Sequence, residues 1–187
     1  MFPSHDQGWY INIDKYYFDV QTADLWCTWL ERFMYHVKGP FMGEPVLLSL
    51  EQRAYFRNIF GWKTKALDVM SGKPVRRYRE VLKYIPRKNS KSFDCAGTAL
   101  GTMVLDGEGG CKIVAIAGSK EQAECVFEPA YQNLDNDIKK NTADGMLRKY
   151  FKPYKSQRRI TAKDDIDEFK TITSDESTNH GGDYHIS

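Results

Sequence analysis

A short basic loop over residues 86–92 most limits what this chain can fold into, because it lies between a predicted strand and a predicted helix. Residues 81–85 are mostly apolar, and Pro86 ends the pattern since proline cannot donate to a β-ladder. A helical pattern follows the loop until Asp106 and Gly107 break it. Strand, basic loop and helix N-terminus together form an arrangement that binds phosphate. The sequence therefore predicts an α/β protein with a phosphate-binding loop.

The other segments alternate between helical and extended patterns. Apolar residues recur at helical intervals over 22–38, and Gly39 and Pro40 stop that pattern. Ser49 and Gln52 have the spacing of a capping box, which predicts a helix from there to Gly61. Residues 63–74 are predicted to be a loop. Strands are predicted over 81–85, 111–117, 158–162 and 169–173, and another helix runs from Ser119 through Leu134.

This order of elements predicts the fold class. It is an α/β fold with an open, mainly parallel sheet and flanking helices, of the P-loop NTPase type, because parallel strands need covering helices between them. We expect a helical extension over 1–48 and the P-loop domain over 49–187. The domain looks incomplete at its C-terminus, since His185, Ile186 and Ser187 stand at what looks like the start of another strand.

Composition narrows the class of protein but does not identify a binding partner. The chain has 187 residues with 27 basic and 25 acidic side chains, so bulk charge does not indicate a nucleic-acid binder. Charge is uneven along the chain, with a basic stretch over 76–91 and an acidic one over 164–168. Both stretches are also consistent with ordinary solvated surfaces. The four cysteines lack the spacing of a zinc site, and no long apolar run appears. We therefore expect free thiols and a soluble, cytoplasmic protein.

The loop departs from the usual phosphate-binding pattern at two positions. Ile85 and Ser90 stand where glycines are normally found. A serine in a left-handed conformation costs roughly 1–2 kcal/mol relative to glycine. Lys91 and Ser92 nevertheless supply the lysine for the outer phosphates and the hydroxyl for magnesium. The alternative is a basic surface turn that caps a helix.

Six separated motifs favour the phosphate loop, because in order and spacing they resemble the large terminase subunit of tailed bacteriophages. The resemblance runs from about Phe18 to the last residue. Its motifs are Leu50-Glu51-Gln52, Phe60-Gly61-Trp62, Arg77-Tyr78-Arg79, Pro86-Arg87-Lys88-Asn89-Ser90-Lys91-Ser92, Gln122-Ala123 with Val126-Phe127, and the stretch from Phe169-Lys170 to Gly182.

The resemblance implies an ATPase that drives viral DNA into capsids, with ATP and Mg²⁺ as cofactors. In that family the N-terminal half is the motor and a C-terminal half is a nuclease, and the motor works as a ring with a portal and a small terminase subunit. Gln52 resembles the glutamine that contacts adenine, and the capping box with Ser49 is the alternative explanation. Arg87 or Lys88 resembles the basic residue that stabilises charge on the terminal phosphate. Pro86, Asn89, Ser90 and Lys91 would form the phosphate cradle, and Ser92 would contact magnesium.

The acidic residues needed for hydrolysis are not apparent. The family places them on an apolar strand that would follow the stretch around Asn179 to Tyr184, whereas Asp175, Glu176 and Asp183 lie in polar sequence. His180 and His185 are close together but lack a third ligand. Two alternatives stay open: a non-catalytic remnant of the same domain, and a helicase-like P-loop ATPase unrelated to packaging.

Overall fold

The computed structural model describes residues 12–69, 71–86, 89–106, 110–139, 146–163 and 165–174. They form two compact units that are interleaved along the chain. The first unit comprises Met1–Trp29 and Leu47–Tyr84, and the second comprises Leu30–Val46 and Ile85–Ser187. The domain boundary expected between residues 48 and 49 stays a prediction. Within the described residues, no helix has the length and apolar character needed to span a membrane.

Helix α1 (Val20–Phe33) begins at Asp19, whose carboxylate accepts a hydrogen bond from the backbone N–H of Thr22 at 3.0 Å. The helix was expected to continue to residue 38 but ends at Phe33. It ends there because Tyr35 forms an antiparallel bridge with Pro45, and the Tyr35 N–H donates to the buried side chain of Asn133 at 2.6 Å. A side-chain acceptor thus takes the donor that would have continued the helix.

Helix α2 (Leu50–Gly61) is confirmed with the predicted capping box at its start. The N–H of Gln52 donates to Ser49 Oγ at 3.2 Å, and the N–H of Ser49 donates to Gln52 Oε1 at 3.1 Å. Phe60 of α2 stacks on Trp26 of α1, with ring centroids 3.5 Å apart, and both side chains are buried. This aromatic pair is the centre of the first unit's core.

The expected loop over 63–74 is wrong, because these residues form a β-hairpin. Strand β2 (Trp62–Leu67) pairs antiparallel with β3 (Pro74–Arg76) and with β1 (Tyr16–Phe18), giving a three-stranded sheet in the order β1-β2-β3. The hairpin escapes sequence analysis because β2 has few apolar residues and its exposed end carries no alternating pattern. Backbone pairing, not side-chain burial, holds this strand.

The second unit contains helix α3 (Lys91–Leu105), strand β4 (Lys112–Ala117) and helix α4 (Lys120–Lys139), close to their predicted positions. After them come helix α5 (Met146–Tyr150), strand β5 (Phe151–Tyr154), a 3₁₀ turn (Lys155–Gln157), β6 (Arg159–Ala162) and β7 (Glu168–Thr173). The sequence predicted β6 and β7 but not α5 or β5. The strand order is β4-β7-β6-β5.

The predicted α/β class, with an open sheet and flanking helices, is confirmed. In the four-stranded sheet, β4 and β7 pair in parallel, as expected for strands joined across a helix. The β7–β6 and β6–β5 pairs are antiparallel, so this sheet is mixed and not mainly parallel as predicted. A buried carboxylate joins the two parallel strands: Asp167 Oδ1 accepts from the N–H groups of Gly110 and Cys111 at 2.9 and 2.7 Å.

The strand predicted over 81–85 does not form. Among the described residues this segment has no β-ladder partner, and it runs irregularly from the end of the hairpin to the basic loop. Val81, Leu82 and Tyr84 are exposed, with Leu82 at 94% and Tyr84 at 96%, whereas Ile85 is half-buried. The apolar pattern was sound evidence for extended backbone, but pairing depends on a neighbouring strand that the local sequence does not specify.

Candidate nucleotide-binding site

Helix α3 begins directly after a residue in the left-handed conformation. Ser90 precedes the helix in the left-handed conformation, at φ 56° and ψ 13°, as its position in the loop predicts. Its carbonyl accepts the N–H of Asp94 at 2.8 Å, which begins the helical ladder. The Ser90 side chain makes no capping hydrogen bond. The first turn of α3 therefore presents backbone N–H groups that its own cap residue does not cover, at the positive end of a 15-residue helix.

Lys91 folds back over the loop. Its ammonium group donates a hydrogen bond to the carbonyl oxygen of Ile85 at 2.7 Å, although the side chain as a whole is exposed. Ile85 is the position where the usual motif begins with glycine, so this hydrogen bond closes the loop from end to end. The bond holds the positive charge of Lys91 beside the backbone of the loop.

The other predicted loop residues are placed as follows. Pro86 and Asn89 are exposed, and Ser92 is half-buried in the first turn of α3. Arg87 and Lys88, the predicted catalytic residues, lie outside the described residues, as do Asp175, Glu176, His180, Asp183 and His185. The structure thus brings together Ile85, Ser90, Lys91 and Ser92 at one helix N-terminus. Their roles toward nucleotide stay predictions.

Gln52 lies in the other unit, on the first turn of α2. Its Oε1 atom is one half of the capping box with Ser49. This contact is sufficient to explain the residue structurally. The adenine contact predicted for Gln52 therefore stays a prediction.

The parallel pair β4 and β7 ends at a polar edge of the second unit. In α/β sheets ligands bind beyond the carboxyl ends of parallel strands, and here those ends are Ala117 and Thr173. After β4, the N–H of Gly118 donates to Gln122 Oε1 at 3.2 Å, and the Gln122 N–H donates to Ser119 Oγ at 3.3 Å. Ser119 and Gln122 have the spacing of a capping box, but the Gln122 side chain accepts from the N–H of Gly118 instead of Ser119.

The described residues contain no group of three or more His, Cys, Asp or Glu side chains arranged to hold a metal ion. The four cysteines, all within the described residues, form no disulfide: Cys27 and Cys111 are buried, and Cys95 and Cys125 are exposed. Within this part of the chain, Ser92 is accordingly the one predicted magnesium contact whose position is known.

Comparison with protein-family models shows the family to which this chain belongs. The model of the family described as "Terminase large subunit, ATPase domain" matches residues 52–186, well over half of the chain. The chain belongs to this terminase ATPase family. The match includes Gln52, the basic loop and both parallel strands. The family resemblance inferred from the six motifs is thereby confirmed.

A solved structure supports the fold of this terminase ATPase domain. The large terminase of bacteriophage HK97 matches with a TM-score of 0.65 at 22% sequence identity. The alignment covers 87% of this chain but 29% of the HK97 chain, so the present chain spans less than a third of that protein's length. A search of curated proteins found no match.

Sequence analysis missed two features of the terminase domain that bear on the site. One is the Lys91 to Ile85 hydrogen bond, for which the six-residue spacing across a loop was the available signal. The other is Asp167, which was grouped with a solvated acidic surface but is buried against the amide groups that begin β4. The available signal was its position directly after Ile166 and just before the predicted strand that begins at Phe169.

Proposed function

We propose that this chain is the ATP-binding segment of a terminase motor that packages viral DNA into capsids. The observation that carries the proposal is the loop itself: Ser90 is left-handed and Lys91 spans the loop at the N-terminus of a long helix, although both customary glycines are missing. Membership of the terminase ATPase family supports nucleotide binding in general. The backbone geometry supports it in this particular chain.

Each loop residue has a distinct task in the proposed site. The N–H groups of Ser90, Lys91 and Ser92 would donate to phosphate oxygens, with Pro86 and Asn89 completing the cradle. The Lys91 ammonium would leave the Ile85 carbonyl for the outer phosphates, and the Ser92 hydroxyl would contact Mg²⁺. The bound metal would neutralise phosphate charge. Gln52 would contact the adenine edge, which needs one donor and one acceptor on one side chain.

Hydrolysis would need further groups. Arg87 or Lys88 is proposed to stabilise the charge that develops on the terminal phosphate. A carboxylate that holds the metal and another that orients water are also needed, and the described residues offer no such cluster. We therefore assign nucleotide binding to this chain and hydrolysis to the complete motor.

The partners follow from the proposed motor function. They are double-stranded viral DNA, a portal protein, a small terminase subunit and further copies of the same subunit in a ring. The place of action is the cytoplasm of the infected bacterial host. A nuclease segment of the same motor would cut the DNA.

The proposal is tested by replacing Lys91 with alanine. Loss of a charged contact to phosphate costs about 1.5–3 kcal/mol, so we expect Mg-ATP to bind at least about tenfold more weakly to Lys91→Ala. Isothermal titration calorimetry on the full chain measures the affinity. Lys149→Ala is the matched control, since Lys149 is also an exposed lysine on a helix of the same unit.

An unmodified, folded chain that does not bind millimolar Mg-ATP would argue against the proposal. The non-catalytic remnant would then be favoured, because Ser90 in place of glycine is the specific departure from the usual loop. Equal affinities for Lys91→Ala and Lys149→Ala would show that the nucleotide lies elsewhere.

A further inference from the structure

The sequence motif Arg77-Tyr78-Arg79 takes no part in the nucleotide site proposed above. Arg77 follows the last residue of β3, and its N–H donates to the carbonyl of Trp62 on β2 at 2.8 Å. This backbone hydrogen bond fixes the start of the arginine side chain beside the three-stranded sheet of the first unit. The side chain is half-buried, so its guanidinium group is only partly exposed to water.

Two aromatic rings lie against this guanidinium group. Its central carbon is 4.8 Å from the ring centre of Tyr16 on β1 and 4.9 Å from the ring centre of Tyr78. Both tyrosines are half-buried. The face of a ring attracts a cation through its quadrupole, but it does not accept a hydrogen bond in the plane of the guanidinium group. The ring contacts therefore hold the group in place and leave its N–H donors in need of other partners.

The side-chain donors of Arg77 lack such partners. The Nη1 atom is buried without a hydrogen-bond acceptor, and no carboxylate among the described residues forms an ion pair with Arg77. Two other cations of the same unit are paired, Arg57 with Asp24 and Lys63 with Asp19. A buried charged donor without an acceptor destabilises a fold, because its hydrogen bonds to water are lost without replacement.

A purely structural arginine would explain the ring contacts but not the unpaired donor. A methionine at this position would fill similar space against the rings without a buried N–H group. A trapped water molecule would need two or more polar partners, which the ring faces do not supply. The guanidinium fork, in contrast, is held in advance and loses little conformational freedom when it binds an acceptor. This arrangement favours a binding role.

We propose that Arg77 binds a carboxylate group. Guanidinium and carboxylate form two parallel hydrogen bonds in one plane. A carboxylate is flat and fits in the guanidinium plane beside the rings, whereas a tetrahedral phosphate projects oxygen atoms out of that plane. Partial burial also favours a single negative charge over a double one, because desolvation opposes charge. The carboxylate belongs either to an aspartate or glutamate side chain of a protein or to a small free acid.

Tyr78 provides access to the buried donor. Among the described residues, its segment has no β-ladder partner, Tyr78 forms no hydrogen bond, and its ring contact is with Arg77. The ring can therefore move away from the guanidinium group without breaking a hydrogen bond. Tyr16 is instead held in β1, which pairs with β2. We expect the carboxylate to enter on the side of Tyr78.

The test follows the side-chain signals of the full chain by NMR with ¹⁵N-labelled arginine. Sodium acetate replaces sodium chloride at a constant ionic strength of about 200 mM, so that screening of charges does not change. The Nε–Hε signal of Arg77 is identified by its loss in Arg77→Lys. We expect this signal to shift and to saturate with a Kd of roughly 10–100 mM, as for one bidentate charged pair.

Arg32 is the matched control in the same spectra. Its guanidinium carbon also lies near a ring, 6.0 Å from the ring centre of Phe33, but Arg32 is exposed. Its signal should not saturate over this range of acetate. The response of Arg77 should persist in Lys91→Ala, because the inference does not depend on the nucleotide loop.

Two further probes identify the source of the carboxylate. Glutamate blocked at its amino and carboxyl ends carries one side-chain carboxylate, and blocked glutamine has a similar shape without the charge. A saturating shift with blocked glutamate and none with blocked glutamine would assign the site to a protein side chain. A shift with acetate but not with blocked glutamate would assign it to a small free acid.

Stability separates binding from a structural role. Arg77→Met removes the unpaired donor and keeps apolar contact with the rings, so its Tm should stay within about 2 °C of the unmodified chain or rise. A larger fall in Tm, or failure of this variant to fold, would make Arg77 a structural residue and overturn the inference. The titration of the unmodified chain tests it independently. An Arg77 signal that does not respond to acetate, or that responds to phosphate at least as strongly, would also overturn it.

Discussion

At the scale of single residues, the loop depends on one backbone conformation. Ser90 has φ 56°, a region that glycine occupies at no steric cost and that other residues enter only with strain. The chain tolerates this because the Ser90 carbonyl begins the α3 ladder and Lys91 closes the loop onto Ile85. The sequence predicted the conformation correctly because the position in the motif, not the residue type, dictates it.

Replacing Ser90 with glycine should therefore stabilise the protein. We expect a gain of about 1 kcal/mol, which for a chain of this size raises Tm by roughly 2–4 °C, because the left-handed strain disappears. Arg158→Gly is the matched control, since Arg158 is also left-handed at φ 48° but lies in a turn far from the loop in sequence. Differential scanning calorimetry should detect a gain in both variants, and tighter Mg-ATP binding only in Ser90→Gly. A lower Tm for Ser90→Gly would mean that the serine side chain stabilises the loop.

At the scale of elements, the N-terminus of α1 is held by a small charged network. Asp19 accepts from the Thr22 N–H and hydroxyl at 3.0 and 2.7 Å and pairs with Lys63 at 3.0 Å. Partial burial opposes ionisation of this carboxyl, but the hydrogen bonds from Thr22 and Lys63 outweigh it and lower the pKa to about 2. The network joins the start of α1 to β2 within the first unit.

This pKa predicts how stability depends on pH. Because the folded pKa lies below the ordinary value of 3.8, the stabilisation is fully present above that value and is lost as pH falls through about 2. Asp19→Asn should cost about 1–2 kcal/mol at pH 7, and the difference from the unmodified chain should shrink toward pH 2. Urea unfolding at several pH values measures the difference in the free energy of unfolding.

Asp24→Asn is the control: the Asp24 carboxylate pairs with Arg57 on the surface and should contribute less than about 1 kcal/mol. A cost for Asp19→Asn that is independent of pH would contradict this explanation.

The elements also mark the limits of prediction from sequence. Helices α2, α3 and α4 and strands β4, β6 and β7 were predictable, because their caps or buried apolar patterns are local. The hairpin β2–β3 was not, since β2 is half-exposed and polar and is held by backbone pairing to β1. The prediction for residues 81–85 was wrong in the opposite way, because a strand was predicted there and none forms. Its pattern is that of a strand, but strand formation depends on a partner distant in sequence.

At the scale of the whole molecule, the family match spans most of this chain, but the chain spans only part of a large terminase. The terminase ATPase family matches residues 52–186, whereas the chain spans 29% of the HK97 large terminase. The basic loop and the parallel pair β4–β7 both lie in the second unit. Among the described residues, no group of three or more His, Cys, Asp or Glu side chains is arranged to hold a metal ion.

We therefore expect the 187-residue chain to bind Mg-ATP without turning it over. Hydrolysis needs one carboxylate on the metal and another on the attacking water, and Asp175, Glu176 and Asp183 lie in polar sequence that has no apolar strand pattern to orient them. Phosphate release at saturating ATP should be equal in the unmodified chain and in Lys91→Ala, although calorimetry distinguishes their affinities. Phosphate release by the unmodified chain that exceeds the release by Lys91→Ala would contradict this expectation, provided that a magnesium chelator abolishes the excess. In that case, individual replacement of these three acids by alanine would show whether one of them is the metal-binding carboxylate.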